Sequence, residues 1–251
     1  MIGDVIGKPG RRAVARMLPA LRSELALDLV IANGENSAGG RGLTLSTAAE
    51  LFDAGVDVLT SGNHIWDQKE IIPYLDGEMP IVRPLNYPPG LPGKGFLVWN
   101  DTLIINLMGR VFISNFDCPF RAFDSVLAQV DPLPARIIVD FHAEATSEKI
   151  AFGWYADGRA SAVLGTHTHV PTADTRVLPK GTAYVSDVGM VGPMNSVIGM
   201  QIDTVMERFL HQTPTQMDVA GGPVIFNAVF MEIDDNTGRA REIRRQDRQA
   251  D

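Results

Sequence analysis

Apolar runs typical of buried strands alternate with amphipathic helices along the first part of the chain. A first helix is predicted by five apolar residues that recur at helical spacing: Val14, Met17, Leu18, Leu21 and Leu25. The apolar runs 29–32 and 56–59 frame a second helix. Thr47 and Glu50 have the spacing of a capping box for that helix, and Gly55 marks its end. This strand–helix–strand order predicts a parallel sheet.

The second half of the chain adds hairpins to this pattern. Apolar runs flank Asn100-Asp101, which predicts a tight hairpin there. A second hairpin is predicted around 235–238, with arms at 224–232 and 239–244. Two further buried strands and a last helix are predicted at 136–141, 161–164 and 202–210. We therefore expect a mixed α/β sandwich, with helices outside and one or two sheets inside, in a single domain over residues 1–251.

The polar residues that stand out share one position, the carboxyl end of an apolar run. Five segments have it: Asp4 after a very short apolar start, 33–36, 61–64, His142 and 165–169. In α/β sheets, ligands collect outside the carboxyl ends of the strands. The sequence therefore predicts that these five ends converge on one crevice.

Four of the five histidines belong to this set, and His211, at the end of a helical pattern, does not. Taken singly, each of the four is more often a structural histidine than a ligand. Taken together, a structural interpretation requires several apolar strands to end in polar residues by chance. We therefore interpret the set as a functional site and His211 as a partly exposed helix residue.

The chemistry of these side chains indicates a metal site. Residues i and i+2 of an extended segment point the same way, so the rings of His167 and His169 are expected to face one crevice. Imidazole suits zinc, iron and manganese, while carboxylate and amide oxygens suit harder ions. One tetrahedral ion needs fewer ligands than the set provides: Asp4, Glu35, Asn63, His142, His167 and His169. Two ions that share a bridging carboxylate fit it better, and paired ions suit phosphoryl displacement.

Composition and charge exclude several other classes of protein. Apolar residues make up 45% of the chain and charged residues 21%, enough to bury a full core. The formal charge of −8 argues against a general nucleic-acid or membrane-surface binder, since both need a basic face. A small anionic substrate needs local positive charge, which bound metal ions would supply. Cys118 is the single cysteine, and neither a signal peptide nor a membrane-length apolar run is present, so we expect a cytoplasmic protein.

Five motifs resemble those of the calcineurin-like metallophosphoesterase superfamily. They lie at 3–7, 33–36, 62–64, 140–144 and 165–169, in this order along nearly the whole chain. Within the superfamily they are most similar to a bacterial branch associated with 2′,3′-cyclic-nucleotide phosphodiesterase activity. The resemblance implies an αββα sandwich of mixed β-sheets flanked by helices.

The resemblance also implies roles for individual residues. Asp4 and His169 would hold a first metal ion, Glu35 would bridge both ions, and a second ion would be held by Asn63, His142 and His167. His64 would lie just outside the metals, near the leaving group. Two positions depart from the wider superfamily. Val5 and Ile6 follow Asp4 where Asp-x-His is usual, and Glu35 replaces the usual bridging aspartate.

In this branch the resemblance suggests that Asn36 supplies the missing ligand as an amide oxygen. An oxygen in place of a nitrogen should shift the preference toward iron or manganese, with zinc still compatible.

The predicted function is hydrolysis of phosphodiesters such as 2′,3′-cyclic nucleotides by attack of a metal-bridging hydroxide, with His64 as proton donor. One alternative is a phosphomonoesterase or phosphoprotein phosphatase, because the motifs encode the metals rather than the specificity pocket. Another is a metal-dependent nucleotide-sensing regulator, against which His64 argues, since pure binding needs no proton donor there. The sequence leaves homo-oligomerisation open.

Four further polar residues remain, and Arg41 and Asp187 have two interpretations each. Arg41, in the glycine-rich loop 37–42, either touches phosphate or belongs to a connector, and the connector is slightly favoured. Asp187 either lines the rim of the site or belongs to a structural turn. Asp140 or Glu144 is expected to orient the ring of His142.

Overall fold

Two β-sheets and a separate hairpin are present in the computed structural model, which describes residues 1–250. Strands are numbered in chain order. The larger sheet contains β1 Ile2–Val5, β2 Ile31–Asn33, β3 Val58–Thr60, β4 Ile81–Val82, β11 Met190–Pro193, β12 Val224–Phe226 and β15 Arg248–Ala250. They lie in the order β15-β12-β11-β1-β2-β3-β4. The five strands from β11 to β4 are parallel to their neighbours, and β12 and β15 add an antiparallel edge.

The smaller sheet has a parallel centre and antiparallel edges. It contains β5 Phe96–Trp99, β6 Thr102–Met108, β7 Arg136–His142, β8 Ala162–Thr166, β9 Arg176–Val177 and β10 Ala183–Val185. Their order is β5-β6-β7-β8-β10-β9, and β6, β7, β8 and β10 run parallel. The separate hairpin pairs β13 Val229–Ile233 with β14 Ala240–Arg245.

Five α-helices and one 3₁₀ helix connect the strands within residues 1–250. They are α1 Gly7–Glu24, α2 Leu45–Asp53, the 3₁₀ helix Lys69–Tyr74, α3 Pro119–Gln129, α4 Thr146–Ala156 and α5 Ile202–His211. Helices α1 and α2 pack on the larger sheet through an apolar cluster that includes Leu18 and Leu51. Helices α3 and α4 pack on the smaller sheet through a second cluster that includes Phe123 and Phe152. None of the helices in this described part of the chain is long and apolar enough to cross a membrane.

A third apolar cluster lies between the two sheets. Strand β6 shows how one strand serves both layers, because successive side chains point to opposite faces. Leu103 and Ile105 belong to the cluster with α3 and α4, whereas Ile104 packs with Ile31 and Val58 of the larger sheet. The layers are thus helix, sheet, sheet and helix, which confirms the αββα sandwich expected from the sequence.

The predicted capping box is wrong by three residues. Helix α2 begins at Leu45, and Thr44 is its N-cap with an extended backbone. The Thr44 hydroxyl accepts from the Thr47 backbone N–H, and the Thr47 hydroxyl accepts from the Thr44 N–H. Threonine can take the place of glutamate in this reciprocal pair because its hydroxyl is also an acceptor.

Two strand predictions also need correction. The arm predicted at 224–232 is broken after Phe226, and its halves lie in different sheets. Strand β11 was not predicted, because its glycine and proline indicated a turn. By contrast, the short strand before Asp4 is well held, since β1 is buried throughout and pairs with β2 on one side and β11 on the other.

Candidate metal centre and active site

The site lies where the carboxyl ends of five parallel strands from both sheets meet. Seven side chains gather there and are called the donor cluster below: Asp4, Glu35, Asn36, Asn63, His142, His167 and His169. Asp4 lies in β1, and Glu35 and Asn63 follow the ends of β2 and β3. His142 is the last residue of β7, and His167 comes directly after β8. All five strand ends predicted from the sequence therefore converge.

One half of the donor cluster surrounds Nε2 of His142. This atom lies 3.0 Å from Glu35 Oε1, 3.2 Å from Asn63 Oδ1 and 3.0 Å from His167 Nδ1. Ligand atoms of Glu35, His142 and His167 all lie within 4.8 Å of one another. His142 and Glu35 are buried. Four oxygen and nitrogen atoms thus meet at one point, two of them on buried side chains and two on the half-buried Asn63 and His167.

The other half of the donor cluster is formed by Asp4, Asn36 and His169. His169 Nε2 lies 3.2 Å from Asn36 Nδ2 and 3.7 Å from Asp4 Oδ1. Asn36 Nδ2 also lies 3.4 Å from Glu35 Oε1. Glu35 therefore contacts members of both halves.

The hydrogen bonds of His142 fix which of its nitrogens faces the cluster as a lone pair. The Thr166 hydroxyl donates to Asp140 Oδ1 at 2.6 Å and so accepts from His142 Nδ1 at 2.9 Å. In the neutral ring the proton is therefore on Nδ1, and Nε2 presents a lone pair to the cluster. Asp140 orients this ring through Thr166, whereas Glu144 lies 3.1 Å from His167 Nε2 instead.

The pKa values of His142 and Glu35 indicate an ion pair between them, whereas burial and the neighbouring His142 lower the pKa of His167 to about 3. Burial disfavours the imidazolium of His142, but the carboxylates of Glu35, Asp4 and Asp140 together outweigh burial and raise the pKa of His142 to about 9. Burial likewise disfavours the Glu35 carboxylate, but His142 and His64 together outweigh burial and lower the pKa of Glu35 to about 2. Burial raises the pKa of Asp4 to about 7. A metal cation beside Glu35 would stabilise its buried carboxylate as the protonated His142 ring does.

An unpartnered oxygen shows that the donor cluster fits a metal ion. Asp4 Oδ1 is buried and has no hydrogen-bond partner within residues 1–250. A buried carboxylate oxygen without a partner costs free energy, and a cation held with Asn36 and His169 removes that cost. Carboxylate, amide and imidazole donors together suit a transition-metal ion.

His64 lies beside the donor cluster but turns away from it. Its Nδ1 is 2.9 Å from Asp67 Oδ2, and its backbone N–H donates to Glu35 Oε2 at 3.0 Å. Asp67 Oδ2 also pairs with Arg41 Nε at 3.4 Å. Sequence reasoning missed Asp67, although its position three residues after His64 in a turn was a usable signal. Arg41 contacts this carboxylate, which neither of its two interpretations anticipated.

The backbone around His64 is a turn, formed by residues 63–66. The side chains of Asn63 and His64 diverge from this turn, because one reaches His142 and the other reaches Asp67.

The prediction that His167 and His169 point the same way from an extended segment is wrong. Their φ values are 101° and 65°, so the chain turns at each. One ring lies against His142 and the other against Asn36, on opposite halves of the donor cluster. A left-handed backbone breaks the alternation on which the argument rested.

A buried ion pair holds this turn. Asp187 Oδ2 accepts from the Thr168 backbone N–H at 3.0 Å, from the Thr168 hydroxyl at 2.8 Å and from Lys149 Nζ at 2.7 Å. Lys149 and Asp187 have side chains that are each 1% exposed. Asp187 therefore has a structural role in holding the turn at 167–169, whereas its own segment is not the predicted turn, because it runs into strand β11.

Gly62 lets the chain approach the donor cluster closely. A Cβ at this position would collide with Glu35 Oε2 and His142 Nε2. The glycine is required by this contact rather than by its backbone angle.

The four-layer fold and the donors at its strand ends define a phosphoester hydrolase of the metallophosphoesterase superfamily. The profile of the family described as YmdB-like protein matches residues 1–246, and the chain belongs to this family. Membership implies that divalent metal ions take part in the reaction.

Relatives with names and solved structures agree with this class. A Bacillus subtilis protein named 2′,3′-cyclic-nucleotide 2′-phosphodiesterase is 47% identical over 97% of this chain and 94% of its own length. A Mycoplasma pneumoniae protein named putative phosphatase/phosphodiesterase is 40% identical over 94% of this chain and 87% of its own.

Two solved structures are similar over almost the entire chain. A hypothetical protein from Thermus thermophilus superposes with a TM-score of 0.93 at 48% identity, covering 99% of this chain and 97% of that one. A structure described as a novel phosphatase, from Mycoplasma pneumoniae, superposes with a TM-score of 0.92 at 38% identity, covering 99% and 92%.

Proposed function

We propose that the chain hydrolyses phosphodiesters, 2′,3′-cyclic nucleotides above all, at a site for two transition-metal ions. The observation that carries the proposal is the division of the donor cluster into two groups that both contact Glu35. The name of the Bacillus subtilis relative supports the substrate class. The cytoplasmic location expected from the sequence stays a prediction.

The contacts support one ligand assignment. Asp4, Asn36 and His169 would hold one ion, Asn63, His142 and His167 would hold the other, and Glu35 would bind both. Asn63 Oδ1 and His142 Nε2 are 3.2 Å apart. Asn36 Nδ2 is 3.2 Å from His169 Nε2, so Asn36 would ligate an ion with its amide turned to bring Oδ1 to this point. The mixture of oxygen and nitrogen donors favours iron or manganese and tolerates zinc.

The two ions, when bound, supply charge neutralisation, an acidified water and orientation for in-line displacement. The protein adds the proton donor. Asp67 Oδ2 lies 2.9 Å from His64 Nδ1 and accepts its proton, so when the ring carries a second proton, on Nε2, that proton can pass to the departing oxygen. General acid catalysis of this kind is worth roughly 10²–10⁴-fold. A cyclic diester needs one bond broken and one oxygen protonated, which matches a site with one such ring.

A comparison of substrates tests this function. We expect kcat/KM to be higher for 2′,3′-cyclic nucleotides than for phosphomonoesters. Elemental analysis of protein purified without added metal should find close to two transition-metal equivalents per chain. A clear preference for monoesters would favour a phosphatase, the activity ascribed to the Mycoplasma pneumoniae structure. A reproducible metal content near zero after metal-replete growth would contradict the whole site.

A further inference from the structure

A cleft of about 930 Å³ opens beside the donor cluster. Its floor is formed by Asn36, His64 and His169. The glycine-rich loop at 39–41 and parts of the segment 197–217, including α5, also line it. The volume lies within the range of small-molecule sites. The cleft is therefore continuous with the proposed reaction centre and large enough for a nucleotide.

In the glycine-rich loop, Gly40 is closely packed, whereas its neighbour Gly39 faces open space. A Cβ at Gly40 would lie 2.7 Å from Val219 Cγ2 and 2.9 Å from Met200 Cε, so only glycine fits there. A Cβ at Gly39 would meet no atom within 4 Å. A flat group can thus approach the loop backbone without displacing a side chain.

His169 connects the segment 197–217 to the donor cluster. Its Nδ1 lies 2.9 Å from the carbonyl oxygen of Ile198. A carbonyl only accepts, so Nδ1 carries the proton and Nε2 is left to face Asn36. The segment 197–217 therefore both lines the cleft and orients the ring of His169.

The chemistry of the cleft matches a nucleobase. Phe209 borders the cleft and is 73% exposed, and Gln212 and Gln216 also border it. An exposed aromatic ring offers a face on which any base can stack, and side-chain amides offer hydrogen bonds to a base edge. Leu210, which is 69% exposed on the same helix, does not border the cleft.

We propose that this cleft binds the nucleoside part of the substrate, with its base stacked on Phe209 and its phosphate at the donor cluster. The inference rests on the proposed function and adds a recognition site to it. His64 and His169 lie on the floor, so a phosphate held there extends its nucleoside into the cleft. The reaction centre recognises the phosphodiester, and Phe209 recognises what is attached to it.

Two substrates with the same cyclic phosphate test this proposal. One is 2′,3′-cyclic AMP, and the other is the methyl riboside 2′,3′-cyclic phosphate, which has no base. We expect the unchanged protein to prefer the nucleotide by roughly 5- to 150-fold in kcat/KM, the range that stacking of one base supplies. Phe209→Ala should abolish most of that preference by raising KM for the nucleotide, with the base-free ester turned over as before. Phe209→Tyr should keep the preference.

Leu210→Ala is the matched control and should leave the preference unchanged. Equal kcat/KM for both substrates in the unchanged protein would overturn the cleft assignment while leaving the proposed function standing. Turnover of neither substrate would overturn both. If Phe209→Ala lowers both rates equally and also changes the sedimentation mass, the ring packs between copies of the chain and the assignment is wrong.

Discussion

At the scale of single residues, the site depends most on Glu35. Its Oε1 approaches His142 Nε2 on one side and the Asn36 amide on the other, while its Oε2 accepts from the His64 backbone. A carboxylate with contacts in both groups of donors can offset the mutual repulsion of two cations.

Removal of Glu35 should therefore affect both metal ions. In Glu35→Ala we expect both equivalents and the activity to be lost, as measured by elemental analysis and phosphodiester turnover. Asn63→Ala is the comparison, because Asn63 contacts only the His142 group, and it should mainly weaken one ion. Full retention of both ions in Glu35→Ala would show that the bridging ligand is another residue.

His64 should differ from the histidines of the donor cluster, since its ring pairs with Asp67 rather than with a donor. His64→Ala should keep its metal and lower kcat by roughly 10²–10⁴-fold for esters with poor leaving groups. Nitrophenyl esters need little protonation and should suffer less. His169→Ala should lose one ion and fail on both kinds of ester. Equal metal loss in the two variants would make His64 a ligand.

At the scale of elements, helix α4 stabilises the turn at 167–169 through a buried ion pair. Lys149 on that helix and Asp187 before β11 form an ion pair closed off from water. Because Asp187 also accepts both hydrogen bonds from Thr168, the pair fixes the two left-handed residues that carry His167 and His169.

Breaking this pair should cost stability and metal together. Lys149→Met leaves a buried carboxylate without its cation, which typically costs about 3–5 kcal/mol. We expect a lower free energy of unfolding in urea and a weaker grip on metal against a chelator. Arg248→Met removes one partner of the exposed pair with Glu24 and should change neither. Unchanged metal retention in Lys149→Met would show that the conformation of the turn does not depend on the ion pair.

The sequence predicted the position of these elements better than their backbone detail. Strand ends could be found because buried strands are continuous apolar runs, and polar residues interrupt them. The left-handed turn at His167 and His169 could not be found, because it depends on Lys149 and Asp187, which are far from it in the chain. Strand β11 was hidden because Gly192 and Pro193 are typical of turns.

At the scale of the whole molecule, the donor cluster draws on both sheets. Asp4 belongs to the larger sheet and His142 to the smaller one. The layer between the sheets therefore sets the distance between donors. The αββα arrangement was expected from family resemblance, whereas the cleft beside α5 depends on a long connection between β11 and β12 that no local pattern describes.

Substitutions at two neighbouring positions on β8 test the role of the layer between the sheets separately from that of the helix-facing layer. Leu164 lies in the apolar layer between the sheets, whereas Val163 faces the helices α3 and α4. Leu164→Ala should cost roughly 2–5 kcal/mol of unfolding free energy and also loosen metal binding. Val163→Ala should destabilise the fold with less effect on metal retention. Chelator competition at a temperature where both variants are folded distinguishes them, and equal metal loss would contradict the argument.

The central position of β1 has a consequence for how the molecule is assembled. This strand pairs with β2, near it in the chain, and with β11, which is synthesised much later. Contacts so distant in sequence form slowly because a long loop must close first. During synthesis on a ribosome, β1 could pair only with β2 until Met190 of β11 emerged. Metal loading should therefore come late in biogenesis, and nascent chains arrested before Met190 should retain little metal on pull-down.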